Sequence, residues 1–220
     1  MNAPFNLANA KGLIFDCDGT LLDTMPVWNE LESRMAREAG VVLNEEQLEE
    51  LRAAPSNQCA AIFHERYGLG KDAADVLRMM DETLMGFYRD KARALPGVKA
   101  LLEQARAAGV PCTVVTSSPR RYVEPGLIRA GINDYFLKLF TTDEAGCSKQ
   151  EAGIWQMAID AMGATPETTW GFDDAVYAVR AMSAVGIHAI GAYDCDETGT
   201  FEQLDEAAEF AVHSLEELLA

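Results

Sequence analysis

Short apolar runs alternate with longer amphipathic stretches along most of this 220-residue chain, and that alternation constrains the fold more than any other feature. Residues 12–15, 110–115, 135–140, 168–172 and 187–192 are short, largely apolar and bounded by Gly, Pro or Asp, as buried strands are. Between them, residues 98–108, 122–130, 154–162 and 176–185 carry apolar side chains at helical spacing. Strand followed by helix, repeated, predicts a parallel sheet with helices on both faces, an α/β, Rossmann-like doubly wound core. Ligands of such sheets bind at the carboxyl ends of the strands, so functional side chains belong just after the apolar runs.

One stretch breaks the alternation. Residues 25–94 show helical patterns at 27–39, 45–53, 58–67 and 74–91 and no convincing strand. This predicts a helical cap domain of residues 24–94 inserted into a core of residues 1–23 and 95–220, with hinges at 23–26 and 94–97. Met79, Met80 and Met85 read as core of that cap.

Charge narrows the partners. A net charge of -17 repels nucleic acid and anionic membranes, so neither is an expected partner. An anionic substrate would need a cation and a few local basic groups to counter the same field. No apolar run approaches bilayer length, and the N-terminus lacks a basic segment followed by an apolar one, so a cytoplasmic protein is expected. The five cysteines are scattered, with no CxxC pair and no zinc spacing, and read as reduced thiols.

The chemistry concentrates in residues 13–23. Leu13-Ile14-Phe15 delivers Asp16 and Asp18 into the loop at the strand's carboxyl end, where Gly19 lets the backbone turn. Two acids so close repel each other unless a cation sits between them or one keeps its proton. That pairing suits a nucleophile beside a general acid, with a magnesium ion nearby.

The run Asp16-Cys17-Asp18-Gly19-Thr20-Leu21-Leu22-Asp23 resembles the first motif of the haloacid dehalogenase-like superfamily. Val114-Val115-Thr116-Ser117 resembles its second motif, Lys149 its third, and Gly171-Phe172-Asp173-Asp174 its fourth. Leu95-Pro96-Gly97-Val98 and Ala184-Val185-Gly186-Ile187 fit the family's phrasing, and the helical insert matches a cap placed after the first motif. Four motifs in order form a far more specific pattern than one.

The resemblance implies a Mg2+-dependent phosphatase that hydrolyses a small phosphomonoester, such as a sugar phosphate, through an aspartyl phosphate. Asp16 is then the nucleophile, and Asp18 protonates the leaving oxygen and activates the water that follows. Gly19, Thr116, Ser117 and Lys149 would bind the phosphoryl group. Asp16, the backbone carbonyl of Asp18, and Asp174 would hold the metal, with Asp173 an outer ligand or a helix cap. Dehalogenases of the superfamily lack an aspartate at the position of Asp18, which disfavours that chemistry.

Two departures from the pattern stand out. Gln150 follows Lys149 where proline is usual, and Ala175 follows Asp174 where serine is common. Different hydrogen bonds must therefore support the site. The alternatives are a beta-phosphoglucomutase-like sugar phosphomutase and a non-catalytic phosphate- or metabolite-binding regulator. Thr116 and Ser117 also read as caps of the helix after Pro119. Cys17 reads as a buried filler whose thiol the neighbouring carboxylates push up. Arg52, Arg120, Arg121 and the cap's His64 are candidate substrate contacts, against the plainer reading of solvated or structural side chains. His188 and His213 read as structural, and residues 194–197 as a solvated acidic loop. A monomer or weak homodimer is expected.

Overall fold

The apolar runs form the centre of a six-stranded sheet in a computed structural model that describes residues 5–54, 56–195 and 199–219, with backbone alone at 49, 52 and 53. The strands are β1 (Gly12–Phe15), β2 (Cys112–Thr116), β3 (Phe136–Thr141), β4 (Thr169–Asp173), β5 (His188–Ala192) and β6 (Phe210–Val212). Every neighbouring pair is parallel, in the order β3-β2-β1-β4-β5-β6. The chain winds outward from β1 on one side and returns to β4 on the other. A crevice therefore opens at the carboxyl ends of β1 and its neighbours.

Every residue of β1, β2 and β4 is buried, which is why these strands read as continuous apolar runs. β2 begins at Cys112, after Pro111, whose ring nitrogen has no proton to donate. β6 is an addition to the five strands expected from sequence. It is three residues long, lies at the sheet edge with Phe210 and Ala211 half-buried and Val212 buried, and is too short to carry a period-two signal.

Helices α9 (Ala152–Met162) and α10 (Val176–Ala184) share a core with the sheet, in which Ile154, Trp155, Ile159, Val179 and Met182 pack with Ile14 and Val115. Phe15 of β1 stacks on Phe172 of β4 with ring centroids 4.6 Å apart. Helices α6 (Val98–Ala108) and α7 (Arg120–Ala130) bury Leu101, Leu102, Val123 and Leu127, and the short α8 (Thr142–Ala145) follows β3.

The chain divides into two compact units, Thr24–Lys91 and the remainder. The second crossing falls at Lys91/Ala92, three residues earlier than the sequence suggests. The returning chain is tied to the outgoing one by Asp23 N to Arg93 O and Leu95 N to Leu21 O, both 3.0 Å, and by a Leu22–Ala94 bridge.

The helical unit holds α1 (Met25–Asn29), α2 (Leu31–Glu38), α3 (Glu45–Ala53), α4 (Ser56–Tyr67) and α5 (Ala73–Asp90). The single helix expected over 27–39 is two, with Glu30 between them at φ -96° and ψ -5°, away from regular α-helical angles. Asn44 and Gln47 form a reciprocal capping box at the start of α3, each bond 2.9 Å. Trp28 donates to the Tyr88 hydroxyl at 2.9 Å, tying α1 to α5. Of the three methionines expected in this core, Met80 is buried and Met79 and Met85 are half-buried. Among the described residues no helix is long and apolar enough to cross a membrane.

Gly97 opens α6 at φ +80°, where a Cβ would lie 2.3 Å from Glu216 N and 2.5 Å from the Leu215 carbonyl carbon. Left-handed strain costs a non-glycine residue about 1–2 kcal/mol, and here a backbone clash adds to it. Gly97→Ala should lower the urea midpoint by the equivalent of about 2 kcal/mol or more. An unchanged midpoint would contradict this account of the turn.

Candidate active site

Asp16 is the first residue beyond β1. Its N–H donates to Phe172 O at 2.9 Å, which extends the β1–β4 ladder and sets Asp16 beside the end of β4. The loop then tightens on itself. Cys17 O accepts from Leu21 N and Leu22 N, and Gly19, at φ +79°, donates to Leu22 O at 3.0 Å. β4 supplies Asp173 as its last residue, followed by Asp174. One carboxylate oxygen from each of Asp16, Asp173 and Asp174 lies within 4.8 Å of the others.

Lys149 joins the cluster from the loop before α9. Its Nζ donates to Asp16 Oδ1 at 2.5 Å and to Asp173 Oδ2 at 2.7 Å, with only 3% of the side chain exposed. The indole of Trp155 fixes this loop by donating to Lys149 O at 2.9 Å. Both departures from the family pattern have local substitutes. Ser148 N and Oγ donate to Glu151 Oε1 at 2.7 and 3.1 Å, which shapes the loop around Gln150 without a proline. Asp173 Oδ1 accepts from Ala175 N at 3.0 Å, which fixes the turn into α10 without a serine hydroxyl.

Thr116 ends β2 and is buried, with its Oγ1 accepting from Ser118 N at 3.1 Å. The cap of α7 is Pro119, with no side-chain hydrogen bond, so neither Thr116 nor Ser117 caps that helix. Accepting from Ser118 leaves the Thr116 hydroxyl proton available to an incoming oxygen. Ser117 is exposed and Asp18 half-buried. The Asp18 carboxylate is not one of the three clustered acids.

Burial pushes the Asp16 carboxyl up to about 7; Asp173 and Asp18 add to the rise and Lys149 opposes it. Asp174 is driven well above the usual carboxylate range by burial first, then by the charges of Asp16 and Asp173. Burial works against the Lys149 ammonium, but the two carboxylates outweigh it and hold its pKa above the ordinary lysine value. When ionised, three carboxylates face one ammonium, leaving two negative charges uncompensated. Hard oxygen donors and that deficit fit a divalent cation, for which Asp16, Asp173 and Asp174 are the ligands at hand.

Other candidates are engaged elsewhere. Arg120 forks onto Glu144 with two bonds of 2.7 Å and donates to Leu139 O, and Arg121 lies over the Tyr122 ring. His64 Nδ1 is 3.0 Å from Leu69 O. His188 stacks on Trp170 and meets Glu209, and His213 stacks on Phe201. Burial, then Asp18 and Asp16, drives the Cys17 thiol well above its ordinary value, which suits a filler and not a nucleophile. The Arg52 side chain, Asp196 and Glu197 lie outside the described residues. Asp194 and Cys195 are half-buried, not fully solvated.

One site neighbour is invisible to motif reading. Tyr177, in the first turn of α10, has a phenol pushed up by burial, with the Lys149 charge opposing the rise and the charges of Asp173 and Asp16 adding to it. In sequence its ring reads as one more apolar helix position. The only signal is its place three residues after Asp174.

Residues 10–186 match the family model of haloacid dehalogenase-like hydrolases. The chain is 27% identical over 212 residues to hexitol phosphatase A of Escherichia coli, covering 94% of this chain and 93% of that one. It is 25% identical over 180 residues to a phosphorylated carbohydrates phosphatase of Thermotoga maritima, covering 82% and 83%. In fold it is similar to a Thermotoga maritima protein provisionally named beta-phosphoglucomutase, with a TM-score of 0.81, 24% identity and coverage of 94% and 96%.

The raised carboxyls set a pH dependence. Folded Asp16 and Asp174 hold protons that the unfolded chain, near 3.8, has released. The stability this confers is present below 3.8 and lost as pH rises through about 7. A divalent cation held there would need the ionised carboxylates, so its stabilisation would grow over the same window. The Mg2+-induced rise in Tm should be larger at about pH 8 than at about pH 5.5. An increment independent of pH would contradict a carboxylate site.

Proposed function

This chain belongs to the haloacid dehalogenase-like hydrolases, and we propose that it is a Mg2+-dependent phosphatase of small phosphorylated carbohydrates, working through an aspartyl phosphate on Asp16. The observation that carries the reading is a buried nucleophile candidate anchored by Lys149, with a second aspartate two residues on. The substrate class is supported by relatives named for hexitol and carbohydrate phosphates.

In this reading an oxygen of Asp16 attacks phosphorus as the bond to the leaving oxygen breaks, and Asp18 gives that oxygen its proton. Asp18, now a carboxylate, takes a proton from water as the water attacks the aspartyl phosphate, which releases inorganic phosphate and restores Asp16. Lys149 and the hydroxyls of Thr116 and Ser117 bind the phosphoryl oxygens and orient them. Magnesium held by Asp16, Asp173, Asp174 and the Asp18 carbonyl would neutralise charge between the acids and the incoming dianion. Five free cysteines suit a cytoplasmic setting. Likeness to mutase structures is a likeness of fold, and the named activities of the sequence relatives favour hydrolysis over phosphoryl transfer between sugars.

Phosphate release from a panel of hexitol and sugar phosphates with Mg2+ tests the reading. The native protein should turn over at least one, chelation should abolish it, and Asp16→Asn should reduce kcat roughly a thousandfold or more. Release from no compound would overturn the phosphatase reading, and turnover only with a sugar bisphosphate primer would favour the mutase.

A further inference from the structure

The carboxyl ends of β1, β5 and β6 flank a recess that neither the clustered acids nor Lys149 line. Gly19 and Thr20 of the loop after β1 form one wall and Leu95 and Pro96 of the returning chain a second. Residues 192–194, where β5 ends, and 213–215, after β6, close the rest. The recess holds about 50 Å³, room for roughly four waters or for one small polar group with a carbon or two.

Its hydrogen-bonding capacity is one-sided. The N–H groups of Gly19, Leu95 and Tyr193 are spent on Leu22 O, Leu21 O and Val212 O, and those of His213 and Ser214 on Glu217 Oε1. Pro96 has no N–H, and no lysine or arginine lines the space. An anion would find little to hold it. Acceptors are better supplied. Asp194 brings a half-buried carboxyl, which burial and then the charge of Asp23 raise above the usual carboxylate range. Thr20 is 1% exposed, and its Oγ1 is buried with no hydrogen-bond partner. Such an orphan hydroxyl is rare, and it marks a place where a ligand or an ordered water completes the structure. The rings of Tyr193 and His213 meet edge to face with centroids 5.5 Å apart, and Phe201 stacks on His213 at 4.0 Å, which fixes the imidazole in this wall. Aromatic faces attract cations.

A primary ammonium is the complementary group, with three N–H donors, no acceptor and a compact positive charge. We propose that this recess binds the ammonium group of a small organic amine, held by the Asp194 carboxylate and the Thr20 hydroxyl against the rings of Tyr193 and His213. The inference stands apart from the phosphatase reading, since it uses neither the acid cluster nor Lys149. Gly19 and Thr20 share a loop with Asp16 and Asp18, and Leu95 N donates to Leu21 O in that loop, so an amine bound here braces the segment that carries the nucleophile candidate.

The test titrates methylammonium and ethylammonium chloride into the full chain by calorimetry, with ionic strength held by tetramethylammonium chloride. Saturable binding at one site is expected, with a Tm that rises over the same concentration range. Asp194→Asn removes the charge and should lower the affinity about tenfold or more. Thr20→Val should weaken binding in the same direction, and Asp160→Asn, at an exposed acid that does not line the recess, should leave it unchanged. Equal affinity in native protein and in folded Asp194→Asn would overturn the site. An equal loss in Asp160→Asn would reduce the binding to counterion attraction by a chain of net charge -17, and would overturn it too. Potassium chloride binding as tightly as methylammonium would overturn the ammonium assignment. No saturable binding of either amine would leave the recess to water and overturn the proposal, whatever phosphate release the native protein shows.

Discussion

The ammonium of Lys149, buried between Asp16 and Asp173, is the interaction on which the rest of the site depends. A buried charge is tolerated only when paired and hydrogen-bonded, and losing one partner leaves the others uncompensated. The chain meets that condition through its backbone. Asp16 N donates to Phe172 O, and the β1–β4 register pairs Phe15 with Phe172, so the carboxylates on either side of the lysine are set by sheet geometry. Trp155 closes the arrangement by holding the Lys149 carbonyl from within the core. Packing and electrostatics are thus one constraint: the side chain that fills the core beneath α9 also fixes the loop that carries the cation.

That constraint explains why the motif surroundings can vary. A proline after Lys149 or a serine after Asp174 is one way to fix a loop, and this chain fixes the same loops with Glu151 and with a second oxygen of Asp173. Asp173 therefore has two tasks, one oxygen on Lys149 and the other on Ala175 N. Replacing a side-chain donor by a backbone N–H keeps the turn while freeing the positions around it.

Much of this was legible in the sequence, for a reason that also marks the boundary of legibility. Strands buried on both faces announce themselves as apolar runs, and the acids and hydroxyl that end them mark the carboxyl edge, so Asp16, Thr116, Asp173 and Asp174 could be read together. β6 could not, because three edge residues, two of them half-buried, are too few to show a periodicity. The break at Glu30 was hidden because glutamate is an ordinary helix residue, and nothing in its neighbours marks an end. Arg120 was a fair substrate candidate until its partner Glu144, 24 residues away, was found to hold it. The exposure of Tyr177 escaped because an aromatic at helical spacing has the same signature whether it is buried or exposed. The Arg120 miss turns on a partner distant in sequence, whereas the strands and the acids at their ends are written in the chain's own next few residues.

The uncompensated charge links this local arrangement to the chain as a whole. With a net charge of -17, the protein would seem poorly suited to an anionic substrate. At physiological salt, exposed charges are screened over about 8 Å, so most of the surface acids contribute little at the crevice. What matters there are the acids too buried to be screened, and these are opposed by a single ammonium. Without a cation the site relieves the imbalance by holding protons, which is why burial raises Asp16 and Asp174 together. A protonated Asp16 is a poor nucleophile. The same burial that makes the acids costly to ionise therefore makes a divalent cation the natural complement of the fold, because it can neutralise the excess charge while leaving Asp16 ionised for the proposed attack.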